Sequence, residues 1–387
     1  MSLEGVHRLI RERRAISQEQ HPLHPTGSHQ QIHQSDDRAG LACTGGHPQQ
    51  CLALLPAFRP PLSQENAAAW CRRSATVLHT MNSGLQPFQY QGSKRVLASK
   101  ILEHVPKGHF DEVLEPFAGS GAISLAAVAK ALVSSIWLND INAPLMDLWS
   151  AILSDTESLI SEYAELWERQ LSDPAQHFMR VRNEFNQSQR SPELLYLLAR
   201  SVKGAVRYNS VGEFNQSPDH RRLGTRPSTT AARLRRISKL IGSRYTLTSL
   251  NCFDLIEYYR EGQVWYLDPP YEGTSEGPNG RYFQSMPRAK VIEFLQTLLD
   301  MRIPFILSYD GFTGEKQHGS RLPDGLGLRH HFIDAGVSTS SSLQRRRETT
   351  TESLYISPEL AFVGVSDVGP SHPQKSDASQ MELGVHV

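Results

Sequence analysis

Short apolar runs that end on an acid recur along the chain: DEVLEPF (111–117), SSIWLND (134–140), RYTLTSLNCFD (244–254) and QVWYLDPPY (263–271). Between and after them lie segments of helical period, AISLAAVAKAL (122–132) and RAKVIEFLQTLLDM (288–301), and a further strand-like run, IPFILSYDG (303–311). HHFIDAGV (330–337) and ESLYIS (352–357) supply two final strands. Alternation of this kind, with short strand-to-helix turns, predicts an α/β fold with a mostly parallel sheet covered on both faces. Such sheets bind ligands outside the carboxyl ends of their strands. Glu115, Asp140, Asp254 and Asp268 are all expected at such ends.

One stretch breaks the alternation. About a hundred residues between Asp140 and Arg244 show no clear strand and are mostly helical in period, as in ESLISEYAELWERQL. Within 172–245 there are 14 Lys/Arg against five Asp/Glu, although the whole chain balances 40 against 40. A local positive excess of that size suits a polyanion, most simply nucleic acid.

The ends read differently. Residues 1–80 hold seven of the 16 histidines and three of the four cysteines (Cys43, Cys51 and Cys71; the fourth is Cys252), without periodicity. Their spacings match no compact zinc pattern, so a disordered leader is expected and no metal site, with Met81 an alternative start. Residues 358–387 read as a disordered tail. No CxxC pair, no apolar run of membrane-spanning length and no signal-peptide core are present, which points to a cytoplasmic protein without a membrane partner.

Two motifs carry chemistry. In EPFAGSGAIS (115–124), Gly119 and Gly121 let the backbone turn sharply and approach a ligand. The spacing is GxGxxS, an imperfect dinucleotide fingerprint, and Asp140 follows 21 residues after Gly119, where a carboxylate can hold ribose hydroxyls. That pattern fits any adenosine-containing cofactor. The second motif, LDPPY (267–271), is sharper. An exocyclic amine on an aromatic ring, such as adenine N6, is a poor nucleophile because its lone pair is delocalised. Hydrogen bonds from that amine to the Asp268 carboxylate and the Pro269 carbonyl favour a more tetrahedral nitrogen, the two prolines hold the backbone rigid, and Tyr271 offers a ring for stacking.

In this order the motifs resemble the Dam-type (D12 class) DNA adenine N6-methyltransferases over roughly residues 86–357. PFQYQGSKR (87–95) is similar to the family's segment ahead of the glycine loop, with Gly92 and Lys94 matching and Gln91-Gly92-Ser93-Lys94 departing from the common AGGK form. RYNSVGEFNQ (207–216) resembles its DNA-recognition stretch, and SYDG (308–311) and ETTTESLYIS (348–357) fall where the family has its later strands. The resemblance implies a Rossmann-like class I methyltransferase sheet built from 86–145 and 244–357, with a mainly helical DNA-recognition domain inserted at 146–243. It implies S-adenosyl-L-methionine as cofactor. Tyr90 and Lys94 would lie at its methionine end, Phe117, Gly119 and Gly121 beneath it, Asp140 at the ribose, and Phe253 and Asp254 at its adenine. Asp268, Pro269, Pro270 and Tyr271 form the implied catalytic set. Arg207, Tyr208, Asn209, Asn215, Arg221 and Arg222 are the implied contacts to double-stranded DNA, although asparagine beside glycine is also a common turn residue. A monomer acting alone or beside a cognate restriction endonuclease is expected.

Three other readings compete. DPPY-like tetrapeptides also serve cytosine N4 and RNA amines. An NAD(P)-dependent oxidoreductase would use Gly119, Gly121 and Asp140 but leave LDPPY and the basic insert unexplained. A catalytically silent DNA-binding protein would need neither motif.

Overall fold

In the computed structural model, residues 85–270, 286–313, 316–337 and 349–361 are described, and all of them fall in one compact unit. The expected leader (1–80), the tail beyond 361 and Tyr271 lie outside the described residues. Four short strands run parallel: β1 (Glu112–Glu115), β2 (Ser135–Asn139), β3 (Tyr245–Thr248) and β4 (Gln263–Leu267). Every residue of β1 and β4 is buried, as expected for parallel strands covered on both faces. β5 (Phe305–Thr313) continues the parallel set, and β6 (Lys316–His318), β7 (Arg329–Val337) and β8 (Thr349–Ile356) add antiparallel pairs at one edge. The sheet order is β3-β2-β1-β4-β5-β8-β7, with β6 paired to β5.

This order decides where the two motifs meet. The glycine loop leaves β1 and the Asp-Pro-Pro turn leaves β4, some 150 residues later, yet Glu112, Val113 and Leu114 pair directly with Gln263, Val264 and Trp265. The chain winds outward from β1 to β2 and β3 on one side, then returns to place β4 on the other. The crevice at such a reversal is where open α/β sheets bind ligands.

Helix α1 (Ala122–Ala129) follows the glycine loop and is buried almost throughout, as befits a helix apolar on nearly all sides. Five more helices lie between β2 and β3: α2 (Ala143–Ser154), α3 (Thr156–Arg169), α4 (Pro174–Ser188), α5 (Ser191–Arg200) and α6 (Pro227–Ile241). Asp173 caps α4 by accepting the Gln176 N–H at 3.0 Å. The apolar helix α5 is the hub, buried from Pro192 to Leu198 against α2, α3 and α4. α6 packs on α3 and also reaches α1, which joins the helical segment to the sheet. Helix α7 (Arg288–Asp300) buries Val291, Phe294, Leu295 and Leu298. Phe294 meets the rings of Phe117, Phe253 and Trp265, a cluster that covers one end of the central strands.

One expected strand is shorter than its sequence pattern. β3 stops at Thr248 rather than running to Asp254. The Asn139 side chain accepts the Leu250 N–H at 2.8 Å and donates to the Leu250 carbonyl at 3.0 Å, so it draws the chain off the ladder. Asn251 then accepts the Phe253 N–H and starts a helical turn, Cys252–Leu255, that carries Asp254. Among the described residues no helix is long and apolar enough to cross a membrane.

Candidate active site

A cleft opens between the carboxyl ends of β1 and β4, walled by the QYQGSK segment, the glycine loop, Asp140 and the Asp268-Pro269-Pro270 turn. Gly119 and Gly121 both adopt left-handed conformations, with φ of 48° and 59°. A Cβ on Gly119 would sit 2.7 Å from the Tyr90 ring, and one on Gly121 would sit 2.9 Å from the Trp149 indole. Glycine is therefore required at both places on two counts, backbone conformation and space. Trp149 donates to the Gly119 carbonyl at 2.9 Å and fixes the loop from below.

Asp140 stands just past the end of β2. One carboxylate oxygen accepts the Gly119 N–H at 3.0 Å and the other the Asn142 N–H at 3.1 Å. Burial pushes its carboxyl up to about 6, against the pull of those two bonds. Each oxygen keeps a lone pair for a further donor.

Glu115 ends β1 and is 2% exposed. Its Oε1 accepts the Ser124 N–H at 2.6 Å, satisfying one of the orphan amides in the first turn of α1. A carboxylate is favoured at a helix N-terminus, but burial wins here and raises its carboxyl to about 7, with the nearby Asp268 charge contributing. Glu115 was legible as a strand-end acid, yet nothing in its spacing marked it as part of the cleft wall.

Asp268 follows β4 directly. Its Oδ1 accepts from the Lys94 ammonium at 2.9 Å, and that ammonium also lies 3.6 Å from Glu352 on β8. Burial raises the Asp268 carboxyl to about 6; Lys94 pulls it down and Glu352 pushes it up. Behind it the Tyr266 hydroxyl shares a 2.7 Å hydrogen bond with Ser308. Ser93 and Ser120 share another at 2.8 Å across the cleft mouth, tying the QYQGSK segment to the glycine loop.

The structure thus gathers Tyr90, Lys94, Phe117, Gly119, Asp140, Asp268, Pro269 and Pro270 around one cleft, whereas Gly121 packs beside Trp149 and is not in its lining. Phe253 joins Phe117 through Phe294, with centroids 5.1 and 6.4 Å apart. Asp254 lies on the helical turn, not at a strand tip. Glu115 and Glu352 are the acids near Asp268 that sequence reasoning left out of the site. Glu352 carries no local signal, because only the sheet brings it to Lys94.

The basic stretch divides. Arg207–Asn215 forms a tight hairpin in which Tyr208 and Phe214 bridge. Asn209 is its turn residue, accepting the Val211 and Glu213 N–H groups at 3.1 and 2.8 Å. Tyr208 points inward: its hydroxyl donates to Asn142 at 3.3 Å, and burial pushes it up to about 12. Arg207 is half-buried, whereas Asn215 at the end of the hairpin and Arg221 and Arg222 in the loop that follows are exposed.

Sheet order, glycine loop and Asp-Pro-Pro turn together define the α/β fold of a class I methyltransferase. A model of the D12 class N6 adenine-specific DNA methyltransferases matches residues 90–324, and the chain belongs to that family. It is 26% identical to the retron Ec67 DNA adenine methylase of Escherichia coli, over 71% of this chain and 92% of that protein. It is 27% identical to the type II methyltransferase M.MjaIII of Methanocaldococcus jannaschii, over 49% and 70%. It is 29% identical to the DNA N-6-adenine-methyltransferase of Escherichia phage P1, over 48% and 24%.

Proposed function

We propose that this chain transfers a methyl group from S-adenosyl-L-methionine to N6 of an adenine that it extrudes from double-stranded DNA. The observation that carries this reading is the pairing of β1 with β4, which puts Asp268 and the glycine loop on opposite walls of one cleft. The cleft suits the cofactor on its own terms. Gly119 brings its backbone to the cleft with no side chain between, the lining mixes the Tyr90 and Phe117 rings with polar groups, and Asp140 retains acceptor capacity for a ribose diol. When bound, S-adenosylmethionine supplies the methyl group as an electrophilic sulfonium. Tyr90, Phe117 and Gly119 would line its seat, Lys94 its methionine end, Asp140 its ribose, and Phe253 and Asp254 its adenine.

The remaining chemistry belongs to Asp268 and its turn. Its carboxylate and the Pro269 carbonyl accept hydrogen bonds from the two amine hydrogens and direct the nitrogen lone pair into the cleft. Pro269 and Pro270 keep that carbonyl from swinging. With a carboxyl near 6, Asp268 is ionised at neutral pH and can accept the proton the amine surrenders. Tyr271 would stack the extruded base, offsetting part of the few kcal/mol that unstacking costs. The insert at 146–243 would read DNA: Arg221, Arg222 and Asn215 offer exposed donors, Arg207, Tyr208 and Asn209 hold the hairpin, and most of the arginines would touch phosphate. A restriction-modification role with a cognate endonuclease is supported by likeness to a type II methyltransferase.

The test is methyl incorporation from a radiolabelled donor into DNA, beside DNA binding by anisotropy. Asp268→Ala is expected to abolish incorporation and to leave binding intact. Undiminished methylation by that variant refutes the role given to Asp268.

A further inference from the structure

Lys94 sits between two carboxylates from different parts of the fold. Its ammonium, on a side chain only 12% exposed, donates to Asp268 at 2.9 Å and lies 3.6 Å from Glu352. The first contact is a hydrogen bond and the second a charge contact just beyond one. In this arrangement the ammonium holds Oδ1 of the carboxylate that the target amine needs.

An arriving amine must therefore share or displace Lys94. Displaced from Asp268 in so enclosed a place, the ammonium is strongly unfavourable unless another acceptor holds it. Glu352 offers a second seat a short swing away, and the flexible four-carbon stem of lysine allows it. The fold builds that seat deliberately into β8. β5 bulges between Ser308 and Gly311, and Gly311 then pairs with Glu352. A Cβ on Gly311 would stand 2.5 Å from the Thr351 carbonyl, so only glycine lets β5 approach β8 there.

Resting on the reading of Asp268 as the amine acceptor, we propose that Glu352 is a positioning residue that takes the Lys94 ammonium when the target amine docks on Asp268. Glu352 makes no contact with substrate in this scheme; it acts through Lys94. Among the described residues, the charged and titratable groups that act on Asp268 or feel its charge are Lys94, Glu352, Tyr266 and Glu115. Of these, Glu352 raises the Asp268 carboxyl and Lys94 lowers it. Removing the Glu352 charge, and seating Lys94 more firmly on Asp268, both act in the same direction.

The experiment is methyl transfer to double-stranded DNA by the full chain across the acidic limb of its pH profile, for the wild type, Glu352→Gln and Glu352→Asp. Adenine methylation by the wild type upholds the reading beneath this proposal; without it, that reading falls first. With it, Glu352→Gln is expected to lower kcat about tenfold, the rate equivalent of one misplaced contact at the transition state. Its acidic limb should move to lower pH, while KM for the methyl donor stays put. Glu352→Asp should restore the wild-type limb and part of kcat. A Gln variant with wild-type kcat and limb overturns the proposal. So does one whose activity falls only in step with its melting temperature, with the limb unmoved. Should the Gln variant not fold, Glu352→Asp decides: a kcat lowered at an unchanged melting temperature, with a wild-type limb, supports the proposal, and a kcat that is wild-type or falls only in step with melting temperature overturns it.

Discussion

Replacing Asp268 by Asn should cost the protein its activity and make it more stable. Its carboxyl is raised from 3.8 to about 6 in the folded chain, chiefly by burial. A group with a raised folded value holds its proton more tightly folded than unfolded. Stability therefore falls as pH climbs from about 4 to about 6, and stays lower above that. A shift of that size corresponds to about 3 kcal/mol at full ionisation. The side chain is 22% exposed, so solvent screening trims the figure to about 2 kcal/mol. Asparagine has the shape of the neutral acid and escapes the penalty, while Lys94 keeps Glu352 as its carboxylate partner 3.6 Å away. For a unit this large, the gain amounts to roughly 4–8 °C in melting temperature. Thermal melts of the wild type and Asp268→Asn at pH 8 and pH 4 check this. The variant should melt higher at pH 8, and the two curves should converge at pH 4. A variant that melts at or below the wild type at pH 8 refutes the claim that this carboxylate is held ionised against its surroundings.

Two further predictions concern the cofactor loop and the basic segment. Gly119→Ala forces a side chain into a left-handed conformation, at about 1–2 kcal/mol, and into the Tyr90 ring 2.7 Å away. It should lower methyl-donor affinity by at least about tenfold while leaving DNA affinity unchanged, as calorimetry would show. Arg221→Ala with Arg222→Ala should reduce the slope of log affinity for DNA against log salt by about 2, if each guanidinium meets a phosphate. An unchanged slope would take these two arginines off the DNA.

Much of the central sheet could be read from the chain, because buried parallel strands such as β1 and β4 are short apolar runs with a clear stop. Pro269 and Pro270 end β4 by removing the N–H a ladder needs, and Pro116 does the same directly after the last residue of β1. β3 was overextended for a physical reason. TSLNCFD alternates like a strand, but the Asn139 side chain captures Leu250 and turns the chain into a helix before Asp254. The alternation was real and a tertiary bond overrode it. Within the site, Asp140 and Asp268 were legible because each directly follows a strand. The Lys94–Asp268 pair spans 174 residues of sequence, and Glu352 joins it from β8, which pairs antiparallel with both β5 and β7. Neither contact has a local pattern, since both follow from sheet order. Asn209 likewise carried two meanings in the sequence, and its hydrogen bonds to Val211 and Glu213 show it shaping the hairpin.

The central claim is that the cleft between β1 and β4 methylates adenine at N6, through Asp268. Mass spectrometry of nucleosides from unmethylated DNA, incubated with S-adenosylmethionine and the full chain, tests it most directly. The account predicts N6-methyladenine with the wild type and none with Asp268→Ala. Methyl groups on cytosine, or none on DNA at all with the wild type, would contradict it.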